Sequence, residues 1–68
     1  MFGIIIENHL YLIHKVFPFG ELYSDIVNYV IDTPFFRIES SSYNETKSLL
    51  KSIAKERGYT IICGGHHL

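Results

Sequence analysis

The sequence predicts an α+β domain, arranged as a two-layer α/β sandwich in which one small mixed sheet carries two helices on the same face. Three observations support this prediction. A helix with clear start and stop signals occupies residues 42–58. Short runs rich in branched and aromatic residues, typical of strands, lie before and after it. The chain has 68 residues, which is enough for a single small domain covering residues 1–68.

The chain begins with two strand-like runs, FGIIIE at residues 2–7 and HLYLIHKV at residues 9–16. They form either a hairpin around Asn8 or one long bent strand, and the hairpin is the favoured interpretation. Because side chains alternate along a strand, the second run has two faces. One face carries Leu10, Leu12 and His14, and the other carries Tyr11, Ile13 and Lys15. Both faces are mostly apolar, which indicates a strand covered on both sides or by a partner.

Residues 19–31 are predicted to form the first helix, with Pro18 in its first turn. Apolar residues recur there at helical spacing, namely Leu22, Tyr23, Ile26, Val27 and Val30. Thr33 precedes Pro34 and is therefore disfavoured in the helical region, so the helix ends before it. Residues 35–39, FFRIE, are predicted to form a short strand.

The second helix is predicted from its caps. Ser42 and Glu45 match a capping box, and Gly58 supplies a left-handed residue at the other end. Between the caps an apolar stripe is formed by Thr46, Leu49, Leu50, Ile53 and Ala54. A last strand at residues 59–63 and a flexible tail at residues 64–68 complete the order β(β)αβαβ. Helices alternating with strands predict partly parallel pairing.

Composition limits the class of protein. Hydrophobic residues make up 47% of the chain, with five phenylalanines and five tyrosines, which is a large apolar content for a small core. A single cysteine excludes an internal disulfide, and the net charge of −1 gives no global field for nucleic acid. No run is long and apolar enough for a membrane span, and the N-terminus lacks the pattern of a signal peptide. We expect a cytoplasmic protein with no membrane partner and no cofactor.

The excess of apolar side chains predicts an interface. With both helices on one face of the sheet, the other face is uncovered, and we expect Tyr11, Ile13, Phe35 and Arg37 to contact a partner. The predicted function is a non-enzymatic protein-interaction module that forms a homodimer or binds another protein. Size and composition are typical of a phage-type or accessory inhibitor or regulator of a host protein, which would act in the host cytoplasm.

A row of cations on the second helix supports an alternative. Lys47, Lys51 and Lys55 are spaced four residues apart and could bind phosphates, as in a nucleic-acid-binding regulator. Like charges at this spacing repel each other by tenths of a kcal/mol. A solvated helix face opposite the core explains the same row, so nucleic acid is the less favoured partner.

A second alternative rests on the end of the chain. Cys63, His66 and His67 are weak candidates for a metal site, since zinc needs about four ligands and the spacing imposes no geometry. The stretch from Leu49 to His67 resembles the helix, Gly-aromatic, strand and Gly-Ser-His-His pattern of small mRNA-interferase toxins with a double-stranded-RNA-binding-like fold. The resemblance implies RNA cleavage, with His66 or His67 as the catalytic histidine.

Overall fold

A computed structural model describes residues 2–20 and 25–63 of the chain. These residues form six strands and one helix. The α+β class is therefore confirmed, but the predicted order is wrong, because five strands precede the helix and one follows it. The elements are β1 (Gly3–Ile6), β2 (His9–Leu12), β3 (His14–Val16), β4 (Asn28–Asp32), β5 (Arg37–Ser40), α1 (Tyr43–Arg57) and β6 (Thr60–Ile62).

The predicted hairpin is confirmed. β1 and β2 pair antiparallel with Ile6 opposite His9, so the loop consists of Glu7 and Asn8. Both loop residues have positive φ, 52° and 68°. Two central residues in this conformation define a type I′ turn, whose twist matches that of the flanking strands. The sequence signal was weak because neither residue is glycine.

The described strands form two antiparallel sheets, in contrast to the single mixed sheet predicted. The first sheet has the order β2-β1-β6, and the second sheet has the order β3-β4-β5. The chain passes from one sheet to the other at Ile13, whose amide donates a 3.0 Å hydrogen bond to the carbonyl of Phe2. The second strand-like run is thus both a hairpin arm and a bent segment shared between the sheets.

The helix predicted over residues 19–31 is wrong where the structure describes it. Residues 25–27 are not helical, and Asn28–Asp32 forms β4, the central strand of the second sheet. Residues 21–24 lie outside the described residues. The β-branched Val30 and Ile31 favour an extended chain, and pairing with β3 and β5 on both sides stabilises it. The two-helix layer expected on one sheet face is replaced by α1, the helix of the described residues.

The caps of α1 are confirmed, with one difference. Ser42 Oγ accepts from the amide of Glu45 at 3.3 Å, and Gly58 has φ 77° with its amide 2.8 Å from the carbonyl of Ala54. The carboxylate of Glu45 does not bind the Ser42 amide directly. It accepts from the hydroxyl of Ser40, whose oxygen in turn accepts from the Ser42 amide at 3.0 Å.

The core lies between α1 and the two sheets. Its buried members are Phe2, Ile4, Ile6, Ile31, Ile38, Leu50 and Ala54. The buried hydroxyl of Thr46 donates to the carbonyl of Tyr29 at 3.0 Å and ties α1 to β4. The apolar stripe of α1 is narrower than predicted, because Leu49 is 46% exposed. The face of each sheet turned toward α1 is called the inner face below, and the opposite one the outer face.

Candidate functional site

The four residues predicted to form one interface are placed in three different surroundings. Tyr11 and Ile13 are partly buried against the core, and Tyr11 lies opposite Ile4 on the inner face of the first sheet. Phe35 is 47% exposed in the connection between β4 and β5. Arg37 is exposed on the outer face of the second sheet. The prediction that Tyr11 and Ile13 face away from the core is wrong, although the alternation of the strand was predicted correctly.

The outer face of the first sheet is apolar. Leu12 and Ile62 lie opposite Gly3, and Leu10 lies opposite Ile5, so their side chains share one side of the sheet. We call Ile5, Leu10, Leu12 and Ile62 the outer apolar face. Leu10 is 55% exposed and the other three are half-buried. Thr60 lies opposite Ile5 and faces the same side. No residue of the three strands that faces this side is therefore charged.

Gly3 allows β2, including the side chain of Leu12, to lie close to the backbone of β1. A Cβ atom at this position would lie 2.3 Å from the carbonyl oxygen of Tyr11 and 2.6 Å from Cδ2 of Leu12. The side chain of Leu12 therefore lies across Gly3, where any larger residue would displace it. The result is a flat apolar surface on the central strand of the first sheet.

The outer face of the second sheet is polar. Arg37 binds the Asp32 carboxylate at 3.1 Å and the Glu39 carboxylate at 2.9 Å, and Asn28 donates to the other oxygen of Glu39 at 2.7 Å. We call Asn28, Asp32, Arg37 and Glu39 the polar network. Val30 lies on the same side, between His14 and Glu39 in the strand register, and is 1% exposed.

Hydrogen bonds within the polar network shift the pKa values of Glu39 and Arg37. The hydrogen bond from Arg37, followed by that from Asn28, holds the pKa of Glu39 below its ordinary value. The hydrogen bond to Glu39 in turn raises the pKa of Arg37. Charge-assisted hydrogen bonds therefore connect β4 and β5, and Glu39 accepts from both Arg37 and Asn28.

The lysine row lies on a flank of α1 rather than on the side opposite the core. Lys47 Nζ is 5.3 Å from the centre of the Phe2 ring and 5.8 Å from that of Tyr43. Lys51 Nζ is 5.9 Å from the Phe2 ring, and both distances to Phe2 are within cation–π range. Lys55 follows one turn later and is exposed. Helical periodicity puts Glu45 and Glu56 on the other flank.

Aromatic residues extend the lysine row toward the second sheet. The rings of Tyr29 and Tyr43 meet edge to face, with their centres 5.5 Å apart. Lys15, on the edge strand β3, lies opposite Tyr29 in the strand register. We call Lys15, Tyr29, Tyr43, Lys47 and Lys51 the lysine–tyrosine band. Sequence reasoning identified Lys47 and Lys51 but missed the other three, because nothing local connects Lys15 or Tyr29 to the helix.

Of the three candidate metal ligands, Cys63 lies among the described residues. Cys63 is a free, exposed thiol following β6. His66 and His67 lie outside the described residues, so the catalytic role implied by the toxin resemblance stays a prediction. Among residues 2–20 and 25–63, no group of three or more His, Cys, Asp or Glu is arranged to hold a metal ion.

Comparison with known proteins finds no matching family model, no matching curated protein and no matching solved structure. Within the part of the chain that the structure describes, no helix has the length and apolar character required to cross a membrane. Candidate functions therefore rest on three surfaces of the molecule: the outer apolar face, the polar network and the lysine–tyrosine band.

Proposed function

We propose that this protein is a non-enzymatic interaction module that binds a protein partner through the outer apolar face. The observation that carries the proposal is an uncharged apolar surface on one side of a three-stranded sheet, with Leu10 of the edge strand β2 55% exposed. Contiguous apolar surface of this kind is uncommon on monomeric proteins and is typical of interaction sites.

The position of the outer apolar face in the fold also supports binding. β6 lies at one edge of the first sheet, and edge strands present backbone N–H and C=O groups that can pair with another chain. A partner that covers the face can therefore extend the sheet at the same time. Main-chain pairing would add affinity, and the apolar side chains would select the partner.

The partner we propose is a second copy of this chain. Two outer apolar faces can stack without placing like charges against each other, since neither carries a charged side chain. A chain of 68 residues buries a smaller share of its surface than a larger domain does, so burial between two copies adds to a limited core. Sheet-on-sheet packing of this type places the two layers about 10 Å apart.

Light scattering coupled to size exclusion tests the proposal over a range of protein concentrations. We expect a dimer that dissociates on dilution, and we expect Leu10→Glu to abolish it by burying a carboxylate in the apolar interface. The matched control is Leu49→Glu, because Leu49 is similarly exposed, at 46%, but lies on α1 away from the face. The control should leave the dimer intact.

Circular dichroism of both variants checks that the fold is retained. A monomer at every concentration, together with identical behaviour of the two variants, would contradict self-association through this face. A third outcome is a monomer that binds an identified protein and loses this binding in Leu10→Glu but not in Leu49→Glu. The protein would then still be an interaction module, but its partner would be that protein instead of a second copy. Such a result would favour a regulator or inhibitor of another protein.

A further inference from the structure

The lysine–tyrosine band is a second surface, separate from the outer apolar face. Lys47 and Lys51 lie on one flank of α1, and Lys15 extends the positive charge to the edge strand of the second sheet. Lys15 and Lys51 are exposed and Lys47 is half-buried. None of these lysines forms an ion pair with a residue in the described ranges. Among the described residues, their charges are therefore not neutralised by an ion pair.

The charges of α1 are segregated rather than mixed. By helical periodicity the uncharged Asn44 and Ser48 are the neighbours of Lys51 and Lys55 on the solvent side, and no carboxylate of α1 lies on this flank. Successive lysines are separated by a rise of about 6 Å along the axis. A row of cations of this length is complementary to a linear row of anions, because each ammonium can contact one negative group.

Aromatic rings lie within this row of charges. Tyr43 lies between Tyr29 and Lys47, with its ring centre 5.5 Å from that of Tyr29 and 5.8 Å from Lys47 Nζ. Both tyrosines are half-buried, so neither residue is fully removed from solvent. A side-chain hydrogen bond joins the two elements, since the hydroxyl of Thr46 on α1 donates to the carbonyl of Tyr29 on β4.

We propose that the lysine–tyrosine band binds single-stranded nucleic acid, with the lysines on phosphates and the tyrosine rings against bases. Alternation of cations with aromatic rings is the arrangement by which sequence-tolerant surfaces hold single strands. An acidic peptide would use the lysines but has no bases to contact the rings. In a duplex the base faces are stacked inside, so the tyrosines would contribute little.

Fluorescence anisotropy of the full chain with a fluorescein-labelled oligo(dT) of about 12 nucleotides tests the proposal. Three lysine–phosphate contacts predict a slope of about −2 in a plot of log affinity against log salt concentration, at about 0.7 per contact. We expect Lys51→Gln to lower the affinity about fivefold to tenfold at about 50 mM salt and to reduce the slope by about 0.7.

The matched control is Arg57→Gln, which removes the same charge from the same helix. Arg57 lies over the Phe36 ring, with Cζ 6.0 Å from its centre, away from the band. We expect this variant to retain the affinity and the slope of the native protein. Equal losses for Lys51→Gln and Arg57→Gln would show a non-specific charge effect and would overturn the proposal.

A second pair of variants tests the rings. Tyr29→Phe keeps the aromatic ring and should bind as the native protein does, whereas Tyr29→Ser should lose about tenfold in affinity. If circular dichroism shows that Tyr29→Ser is not folded, the comparison of Lys51→Gln with Arg57→Gln decides whether the proposal stands. Absence of salt-dependent binding would also overturn the proposal. If oligo-glutamate competes as effectively as unlabelled oligo(dT), the proposal is overturned in favour of an acidic polypeptide as the ligand.

Discussion

The outer faces of the two sheets differ in what covers their apolar residues. On the second sheet, Val30 is 1% exposed and shares its side with the polar network of Asn28, Asp32, Arg37 and Glu39. On the first sheet, Leu10 is 55% exposed and its cross-strand neighbours are apolar. Long polar side chains can shield the strand beneath them, because their stems cover apolar surface while their charged ends stay in water. The described strands of the first sheet carry no such side chains on their outer face, and its apolar residues stay partly exposed.

The largest effect is expected at Gly3, where the outer apolar face approaches the backbone. We expect Gly3→Ala to lower the free energy of unfolding by about 3 kcal/mol, since the added Cβ would meet the Tyr11 carbonyl oxygen at 2.3 Å. Urea denaturation followed by circular dichroism measures it. Gly58→Asn is the control, because a Cβ added there would meet no non-neighbouring atom of the described residues within 4 Å, and asparagine is found at the φ of 77° that ends helices. A Gly3→Ala variant as stable as the control would show that the strand pair can open without cost.

The next largest effect compares the two faces directly. Val30→Ala should cost about 2 kcal/mol, from the loss of two buried methyl groups and the cavity that remains. Leu10→Ala should change the stability of the monomer by no more than about 0.5 kcal/mol, because Leu10 is already half in solvent. Thermal unfolding at a protein concentration that keeps the chain monomeric gives both values. Similar costs at the two positions would contradict the difference between the faces.

The turn of the hairpin formed by β1 and β2 should allow substitutions that increase the stability of the protein. Replacing Glu7 by Asn and Asn8 by Gly should raise the free energy of unfolding by about 1 kcal/mol, since both positions have positive φ that ordinary side chains adopt at a cost. Chemical denaturation measures the gain. Glu7→Gln removes the charge without easing the backbone and should leave the stability unchanged, so a gain in that control would attribute the effect to charge.

The smallest effect concerns the polar network. The pKa of Glu39 is lowered in the folded state, so the carboxylate adds stability above its unfolded value of 4.5, and this contribution is lost as the pH falls through the lower folded pKa. We expect Glu39→Gln to reduce the loss of stability on acidification below about pH 4.5. Melting temperatures between neutral and acid pH measure the slope. Glu56→Gln removes an exposed carboxylate of α1 and should keep the native profile; the same change in both variants would contradict a role of the network.

The parts of the fold that could be predicted are those with local causes. The helix α1 was predicted within one residue at its start because Ser42 and Gly58 satisfy backbone groups next to them. The hairpin of β1 and β2 was also predictable, since two strand-like runs adjoin Asn8, although the structure adds Glu7 to the turn. Gly3 was an unused signal, because a glycine within a strand-like run often marks a close approach of another chain segment.

The helix predicted over residues 19–31 was wrong for a physical reason. Val30 and Ile31 are both buried although they point to opposite faces of β4, so the strand reads as a continuous apolar run rather than an alternating one. Such a run cannot be distinguished from a helix by periodicity alone. Pairing with β3 and β5, which are distant in sequence, decides the conformation.

Local interactions alone specify where α1 begins and ends and which residues of β1 and β2 share a side, because both follow from contacts within a few residues. The packing of the layers sets which side faces inward. The register of β1 with β2 and the packing of α1 turned Tyr11 toward the core and Leu10 toward solvent. The same packing brought Tyr29 beside Tyr43. Side chains far apart in sequence meet only through the arrangement of whole layers, and both candidate surfaces depend on it.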